Sequence, residues 1–158
     1  MNQPKVYIET SVISYLTARP SRDIVIAGHQ QVTCDWWETA TERFHLVTSQ
    51  LVIQEASVGD KYLAEKRLNV LEPIELLATS TEAIALAQLL ISEGPIPKKA
   101  VEDAIHIAIA VTNGIDYLVT WNCKHIANAI MRSSIEKICR SQNYEPVTIC
   151  TPEELLGE

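Results

Sequence analysis

The chain alternates short apolar segments with longer segments of helical periodicity, and this order constrains its fold more than any other feature. The first apolar segment contains Val6, Tyr7 and Ile8. Similar segments lie in "HLVTS", "IELLAT", "IDYLVTWN" and "PVTIC", with apolar residues at helical spacing between them. Strands that are apolar on both faces and alternate with helices are typical of a parallel sheet covered by helices on both sides. The sequence therefore predicts one three-layer α/β/α domain with a mostly parallel central sheet, over residues 1–158.

The sequence also predicts where several of the helices begin and end. Thr10 and Ser11 follow the first strand and are typical N-cap residues, which predicts a short helix from there to about Ala18. After the fourth strand, the pattern predicts two helices, from about Lys124 to Met131 and from about Ser134 to Ser141. The segment 24–44 is apolar on more than one helical face, and we expect it to form a homodimer contact.

Composition narrows the class of protein. The chain has 158 residues, of which 47% are hydrophobic and 21% are charged, as in a globular domain with its own core. No apolar run reaches membrane-spanning length, so we expect a cytoplasmic protein. The four cysteines form no C-x-x-C pair and have no histidine at zinc-finger spacing, which predicts free thiols in or near the core.

The net charge of −7 argues against tight, non-specific binding of nucleic acids. If the partner of this chain is an anion, positive charge must come from something other than the bulk protein surface. A bound divalent cation would supply it.

Polar residues gather where predicted strands end and helices begin, which is where open parallel sheets bind ligands. These residues are Glu9, Thr10 and Ser11 after the first strand, Glu55 after the second, Glu102 and Asp103 at the start of an Ala-rich helix, and Thr120 and Asn122 after the fourth strand.

Each of these residues also has a purely structural interpretation. Glu9, Glu102 and Asp103 could be first-turn acids that favour a helix dipole, an interaction worth about 0.3–1 kcal/mol. Glu55 could face solvent, and Asn122 could cap the helix that follows it.

Taken together, the acids favour a metal site. Carboxylates crowded at one sheet edge repel one another, and no lysine or arginine stands at those strand ends to neutralise them. Mg²⁺ or Mn²⁺ would relieve the repulsion, because both ions prefer oxygen ligands. Such a site can activate water and stabilise charge on a phosphoryl group, so metal-assisted phosphodiester hydrolysis is a candidate reaction.

At these residues the sequence resembles the PIN-domain ribonucleases, in particular the VapC-like toxins of type II toxin–antitoxin pairs. "VYIETSVISYL" is similar to the opening strand and first acidic motif of that family, and "LVIQEAS" to the second. "EDAIHIAIAVTNGIDYLVTWNCKHIAN" is similar to the third and fourth motifs with the helix and strand that join them. The resemblance covers nearly the whole chain, and the fragments follow one another in the order of that family's motifs.

The resemblance implies a PIN-like domain that acts as an endoribonuclease dependent on Mg²⁺ or Mn²⁺. It implies an RNA substrate, a separate antitoxin protein as partner, and a homodimer. The residues that it implies for the site are Glu9, Asp103 and Glu55 as metal ligands, Asn122 at the fourth pocket position, and Thr10, Ser11 and Thr120 in supporting roles.

Two of these positions depart from the family. Glu9 stands where Asp is usual and is one methylene longer, which moves the ligand in a site where Mg²⁺ tolerates little distortion. Asn122 stands where many relatives carry Asp, so one negative charge is missing. We therefore expect one firmly bound metal ion and a weak second site. The two departures are also compatible with reduced or specialised activity.

Other residues have weaker functional interpretations. His106 lies one helical turn beyond Asp103, and a packed histidine is favoured over a site residue there. His125 could contact RNA or simply begin a helix. Of Trp36 and Trp37, one is expected in the core and the other on a partner surface. Lys98, Lys99 and Arg19 could meet phosphates, with solvated surface as the simpler interpretation.

Two other functions compete with the nuclease. A catalytically silent PIN-like module that binds RNA or a protein is favoured by Glu9 and Asn122. A receiver-type phosphoacceptor domain shares the alternating order and an acidic pocket. It requires an aspartate after a central strand and a lysine after a late one, where this chain offers Glu55 and Asn122, so we discount it.

Overall fold

Five short strands form one parallel sheet at the centre of the protein. In the computed structural model, which describes residues 3–157, the strands are β1 (Lys5–Ile8), β2 (His45–Ser49), β3 (Glu75–Leu77), β4 (Tyr117–Val119) and β5 (Thr148–Cys150). Their order across the sheet is β3-β2-β1-β4-β5, and all four pairings are parallel. Val6, Tyr7 and Ile8 of the central strand are completely buried, as a strand covered on both faces must be.

Helices connect the strands and cover the sheet. They are α1 (Thr10–Thr17), α2 (Ile24–Arg43), α3 (Gln50–Ala56), α4 (Lys61–Leu71), α5 (Thr81–Ser92), α6 (Val101–Thr112) and α7 (Ala129–Ser141), with 3₁₀ turns at Lys98–Ala100 and Pro152–Leu155. Helices α1 to α4 pack mainly among themselves, and α5 packs against α6 and α7. The three-layer α/β/α architecture predicted from the sequence is confirmed.

The prediction of two helices after the fourth strand is wrong. Residues 123–127 form turns, and a single helix, α7, runs from Ala129 to Ser141. The carbonyl oxygen of Asn122 accepts bonds from the amides of Ile126 (3.2 Å) and Ala127 (2.8 Å), which closes the turn. The Asn128 side chain then accepts from the amides of Ile130 and Met131, so the helix begins after Asn128.

The predicted N-caps of the first helix also need correction. Glu9 has extended backbone angles and its side chain accepts a hydrogen bond from the Ser11 amide, so Glu9 is the N-cap and Thr10 is already helical. Carboxylates are good N-caps because they accept from first-turn amides at the positive end of the helix. The side chains of Thr10 and Ser11 are therefore available for other contacts.

The cysteines are free thiols, as predicted, but the prediction that they all lie in or near the core is wrong for Cys123. All four are free, with Cys139 and Cys150 buried, Cys34 half-buried and Cys123 exposed. Within residues 3–157, no helix is both long enough and apolar enough to cross a membrane.

Candidate metal centre

The strand order places the candidate site at the centre of the sheet edge. From β1 the chain proceeds outward to β2 and β3 on one side, and β4 and β5 lie on the other. The carboxyl ends of β1 and β4 therefore flank the point where the strand order reverses, where open α/β sheets bind ligands. The amide of Glu9 donates to the carbonyl oxygen of Val119 at 3.2 Å, which continues the β1–β4 pairing up to the site.

Glu9 is nearly buried, with 6% of its surface exposed. Its Oε1 accepts hydrogen bonds from the Thr120 hydroxyl (2.6 Å), the Ser11 hydroxyl and the Ser11 amide (3.2 Å). The Ser11 hydroxyl in turn accepts from the amide of Trp121 at 2.8 Å. These donors fix the carboxylate in one orientation and link the first acidic segment to the end of β4.

Glu55, on α3, reaches the same place from the neighbouring strand. Its Oε1 accepts from the Thr10 hydroxyl and lies 2.8 Å from Nε2 of His106. Burial by itself raises the pKa of Glu55, but the hydrogen bond and charge of His106 and the hydrogen bond from Thr10 outweigh it, and the net pKa is lowered. The carboxylate is therefore ionised at neutral pH.

Behind Glu55, a chain of buried polar groups supports the imidazole. His106 is completely buried on α6, and its Nδ1 lies 2.7 Å from the Tyr7 hydroxyl. That hydroxyl lies 2.7 Å from Oγ of Ser49, the last residue of β2. Burial is the main cause that raises the pKa of Tyr7, so the phenol stays protonated.

A second group of side chains surrounds Asp103. The Asn122 amide donates from Nδ2 to Oδ1 of Asp103 at 3.0 Å, and Nδ1 of His125 lies 3.0 Å from Oδ2. Oδ1 of Asn122 accepts from the backbone amide of His125 at 3.1 Å. Both oxygens of Asp103 are thus already engaged.

Three ligand atoms converge at the first group. One atom each from Glu9, Glu55 and His106 lie within 4.8 Å of one another. Within residues 3–157, no salt bridge joins a lysine or arginine to Glu9, Glu55 or Asp103. Two carboxylates and an imidazole, with no competing cation, are a donor set that fits a divalent metal ion.

Comparison with known proteins identifies the fold. No protein-family model and no curated protein matches the sequence. Among solved structures, one similar chain belongs to VapBC2 from Rickettsia felis, a structure in which VapBC2 is bound to a DNA fragment from its promoter. The two chains superpose with a TM-score of 0.57 at 13% identity, over 93% of this chain and 98% of the other. The chain has a VapC-like PIN fold.

The PIN fold brings together the residues that the sequence placed at its pocket, but in two groups. In the first group, Glu9 is hydrogen-bonded to Ser11 and Thr120, and Glu55 to Thr10, while ligand atoms of Glu9 and Glu55 lie close together beside His106. Asp103 and Asn122 pair with each other. The assignment of Asp103 as a metal ligand stays a prediction, because the group of converging ligand atoms holds Glu9 and Glu55 with His106.

His106 is the residue whose place in the site was underestimated from the sequence. It is packed in the core, as expected, and it also contacts Glu55. Its position one turn after Asp103 was a signal, but only the partners on β1 and α3 show which way the ring faces. His125 contacts Asp103 and lies in a turn.

The remaining candidates lie apart from these contacts. Glu102 is exposed at the start of α6. Arg19, Lys98 and Lys99, which lie outside this helix, are exposed as well. Trp36 is completely buried, as predicted for one of the pair. Trp37 is half-buried beside it, and a partner surface there stays a prediction.

Proposed function

We propose that this protein is a divalent-metal-dependent endoribonuclease that hydrolyses RNA phosphodiester bonds, and that it is the toxin of a toxin–antitoxin pair in the cytoplasm. The observation that carries the proposal is the nearly buried Glu9 carboxylate, which faces Glu55 at the switch point of a PIN fold. A buried carboxylate without a cationic side chain is costly unless a cation is bound.

The side chains at such a site would have two roles, which are to bind the ion and to orient its ligands. A bound Mg²⁺ or Mn²⁺ would supply a Lewis acid for a phosphate oxygen and lower the pKa of a bound water. Glu9 and Glu55 would hold the ion, and Thr10, Ser11 and Thr120 keep the two carboxylates in place.

Asp103 and Asn122 complete the proposed pocket. Asp103 is the remaining acid, and each of its oxygens accepts one hydrogen bond, from Asn122 or His125, and keeps a further lone pair for an ion. Asn122 carries no charge and donates to Asp103, so it favours a single firmly held ion over two.

Three partners belong to the proposal. RNA is the substrate, and the net charge of −7 makes its binding depend on the ion. A separate antitoxin protein is proposed because the structural neighbour is part of a VapBC2 complex. A homodimer is proposed through the start of α2, where Ile24 is 88% and Val25 64% exposed.

The test is cleavage of a mixed panel of structured RNAs with Mg²⁺, with Mn²⁺ and with EDTA. Asp103→Asn removes a proposed ligand, while Glu102→Gln on the same helix removes an equal charge from an exposed position and is the matched control. We expect metal-dependent cuts from the wild type and from Glu102→Gln, and none from Asp103→Asn. Equal metal affinity and equal cleavage by Asp103→Asn would refute the assignment.

A catalytically silent PIN-like module remains the second candidate, and one contact favours it. The Asn122 amide occupies an oxygen of Asp103 that a metal would otherwise use. The same RNA panel separates the two functions, because a silent module would retain RNA or protein binding and give no cuts under either metal.

A further inference from the structure

We propose that His106 is itself a ligand of the ion, together with Glu9 and Glu55, and that its nitrogen makes the site favour Mn²⁺ over Mg²⁺. The inference rests on the proposed function in that the ion is the one the nuclease would use. It adds a nitrogen ligand that the acidic motifs do not contain.

The first argument is distance. Nε2 of His106 lies 2.8 Å from Oε1 of Glu55, and a ligand atom of Glu9 lies within 4.8 Å of both residues' ligand atoms. Neighbouring ligands around a six-coordinate ion at about 2.1 Å lie about 3 Å apart. The imidazole and the Glu55 carboxylate are therefore already spaced as two ligands of one ion.

The second argument is that the imidazole can present a lone pair at Nε2 to an ion that replaces the present hydrogen bond between Nε2 and Glu55. Its Nδ1 faces the Tyr7 hydroxyl, and that hydroxyl faces the Ser49 hydroxyl. Since hydroxyls both donate and accept, the proton of the neutral ring can sit on Nδ1 and be donated to Tyr7, while Tyr7 donates to Ser49. Metal-binding histidines usually donate their other ring N–H in this way.

The third argument is the buried charge of Glu9. All three hydrogen bonds to this carboxylate end on Oε1, and within residues 3–157 none ends on Oε2. The residue is only 6% exposed, and Oε2 is not among the buried atoms without a partner, so an ion can reach this oxygen from solvent. Asp103 differs, because Asn122 and His125 engage both of its oxygens.

The choice of ion follows from the ligand types. Mg²⁺ is bound mainly through oxygen and keeps several waters, whereas transition-metal ions accept imidazole nitrogen readily. Replacing one oxygen ligand by His106 therefore lowers the relative affinity for Mg²⁺.

The experiment uses Mn²⁺ as the probe on the full chain. Mn²⁺ binding is followed by electron paramagnetic resonance, nitrogen coupling to the bound ion by pulsed measurements, and Mg²⁺ affinity by competition. We expect nitrogen coupling in the wild type and tighter binding of Mn²⁺ than of Mg²⁺. His106→Gln should lose the coupling and about tenfold of the preference. His125→Gln is the matched control and should keep both.

If His106→Gln does not fold, the question is answered without that substitution. His125→Gln protein carrying ¹⁵N-labelled histidine should show the coupling pattern of ¹⁵N in place of that of ¹⁴N. Absence of Mn²⁺ binding, or bound Mn²⁺ without histidine coupling, would overturn the inference. Nitrogen coupling that is lost in His125→Gln and kept in His106→Gln would also overturn the inference.

These outcomes are separate from those of the proposed function. If the protein cleaves RNA in a metal-dependent way but shows no histidine coupling, the proposed nuclease function would be supported and His106 would not be a metal ligand. If histidine nitrogen couples to bound Mn²⁺ but the protein cleaves no RNA, the metal site with His106 would be supported and the nuclease function refuted.

Discussion

The hydroxyl of Thr120 donates to Oε1 of Glu9 at 2.6 Å, although the two residues are 111 positions apart in the chain. This bond is part of what fixes the carboxylate that follows β1 relative to the end of β4. Partners that orient a ligand typically change metal affinity or activity about 10–100-fold when removed.

Thr120→Val tests this contact, because valine keeps the shape of threonine and removes its hydroxyl. We expect metal affinity to fall about tenfold or more, measured by titration with Mn²⁺. Thr120→Ser, which keeps the hydroxyl, should bind nearly as the wild type does. Equal affinities of all three proteins would show that the Ser11 donors alone are enough.

Asn122→Asp should make the stability of the protein depend on metal. In EDTA the new carboxylate stands beside Asp103, loses the amide donor at Nδ2 and repels its neighbour, which we expect to cost about 1–3 kcal/mol. Mg²⁺ or Mn²⁺ should restore more stability to this variant than to the wild type. Thermal unfolding with each ion and with EDTA measures the difference, and Asn122→Ala separates loss of the amide from gain of charge.

Glu55 should contribute to the pH dependence of folding. Its pKa in the folded protein is lowered from the ordinary value of 4.5, so its ionised form stabilises the fold above that value. This contribution is lost as the pH falls through the folded pKa. We expect Glu55→Gln to reduce the loss of unfolding free energy between neutral pH and about pH 3, as measured in urea. If the unfolding free energy of Glu55→Gln falls with acid as steeply as that of the wild type, the pairing of Glu55 with His106 and Thr10 would be contradicted.

Trp121→Phe should destabilise the protein through one lost hydrogen bond. The indole Nε1 donates to the buried hydroxyl of Thr33 at 2.8 Å, while the ring stacks on His29 with centroids 4.1 Å apart. Phenylalanine keeps an aromatic ring and removes the donor, which we expect to cost about 1–3 kcal/mol of unfolding free energy. A double-mutant cycle with Thr33→Val isolates the bond. Additive effects of the two substitutions would mean that the contact carries no coupling energy.

The sequence predicted the sheet and most helices because their signals are local. A fully apolar strand such as 6–8 and a helix capped by Ser80 need no knowledge of the rest of the chain. The segment after Asn122 was predicted wrongly because its turn is set by the carbonyl of Asn122 and the side chain of Asn128. Helical periodicity cannot reveal such capping bonds.

For the site, the sequence identified the acids but not their grouping. Strand ends predicted that Glu9 and Glu55 would meet, since both follow neighbouring parallel strands. The orientation of His106 depends on Tyr7 and Glu55, which come from other elements. Which ring nitrogen faces which partner is a property of the packed core, and no spacing along α6 encodes it.

The central place of β1 has a consequence for protein synthesis. The first acid emerges from the ribosome at residue 9, but its neighbour β4 and the Thr120 donor follow more than a hundred residues later. A nascent chain that stops before Tyr117 contains Glu9, Glu55 and His106 without the strand that completes the edge around them. The pocket is therefore assembled only after β4 and Thr120 have been synthesised, and a product terminated before them lacks it.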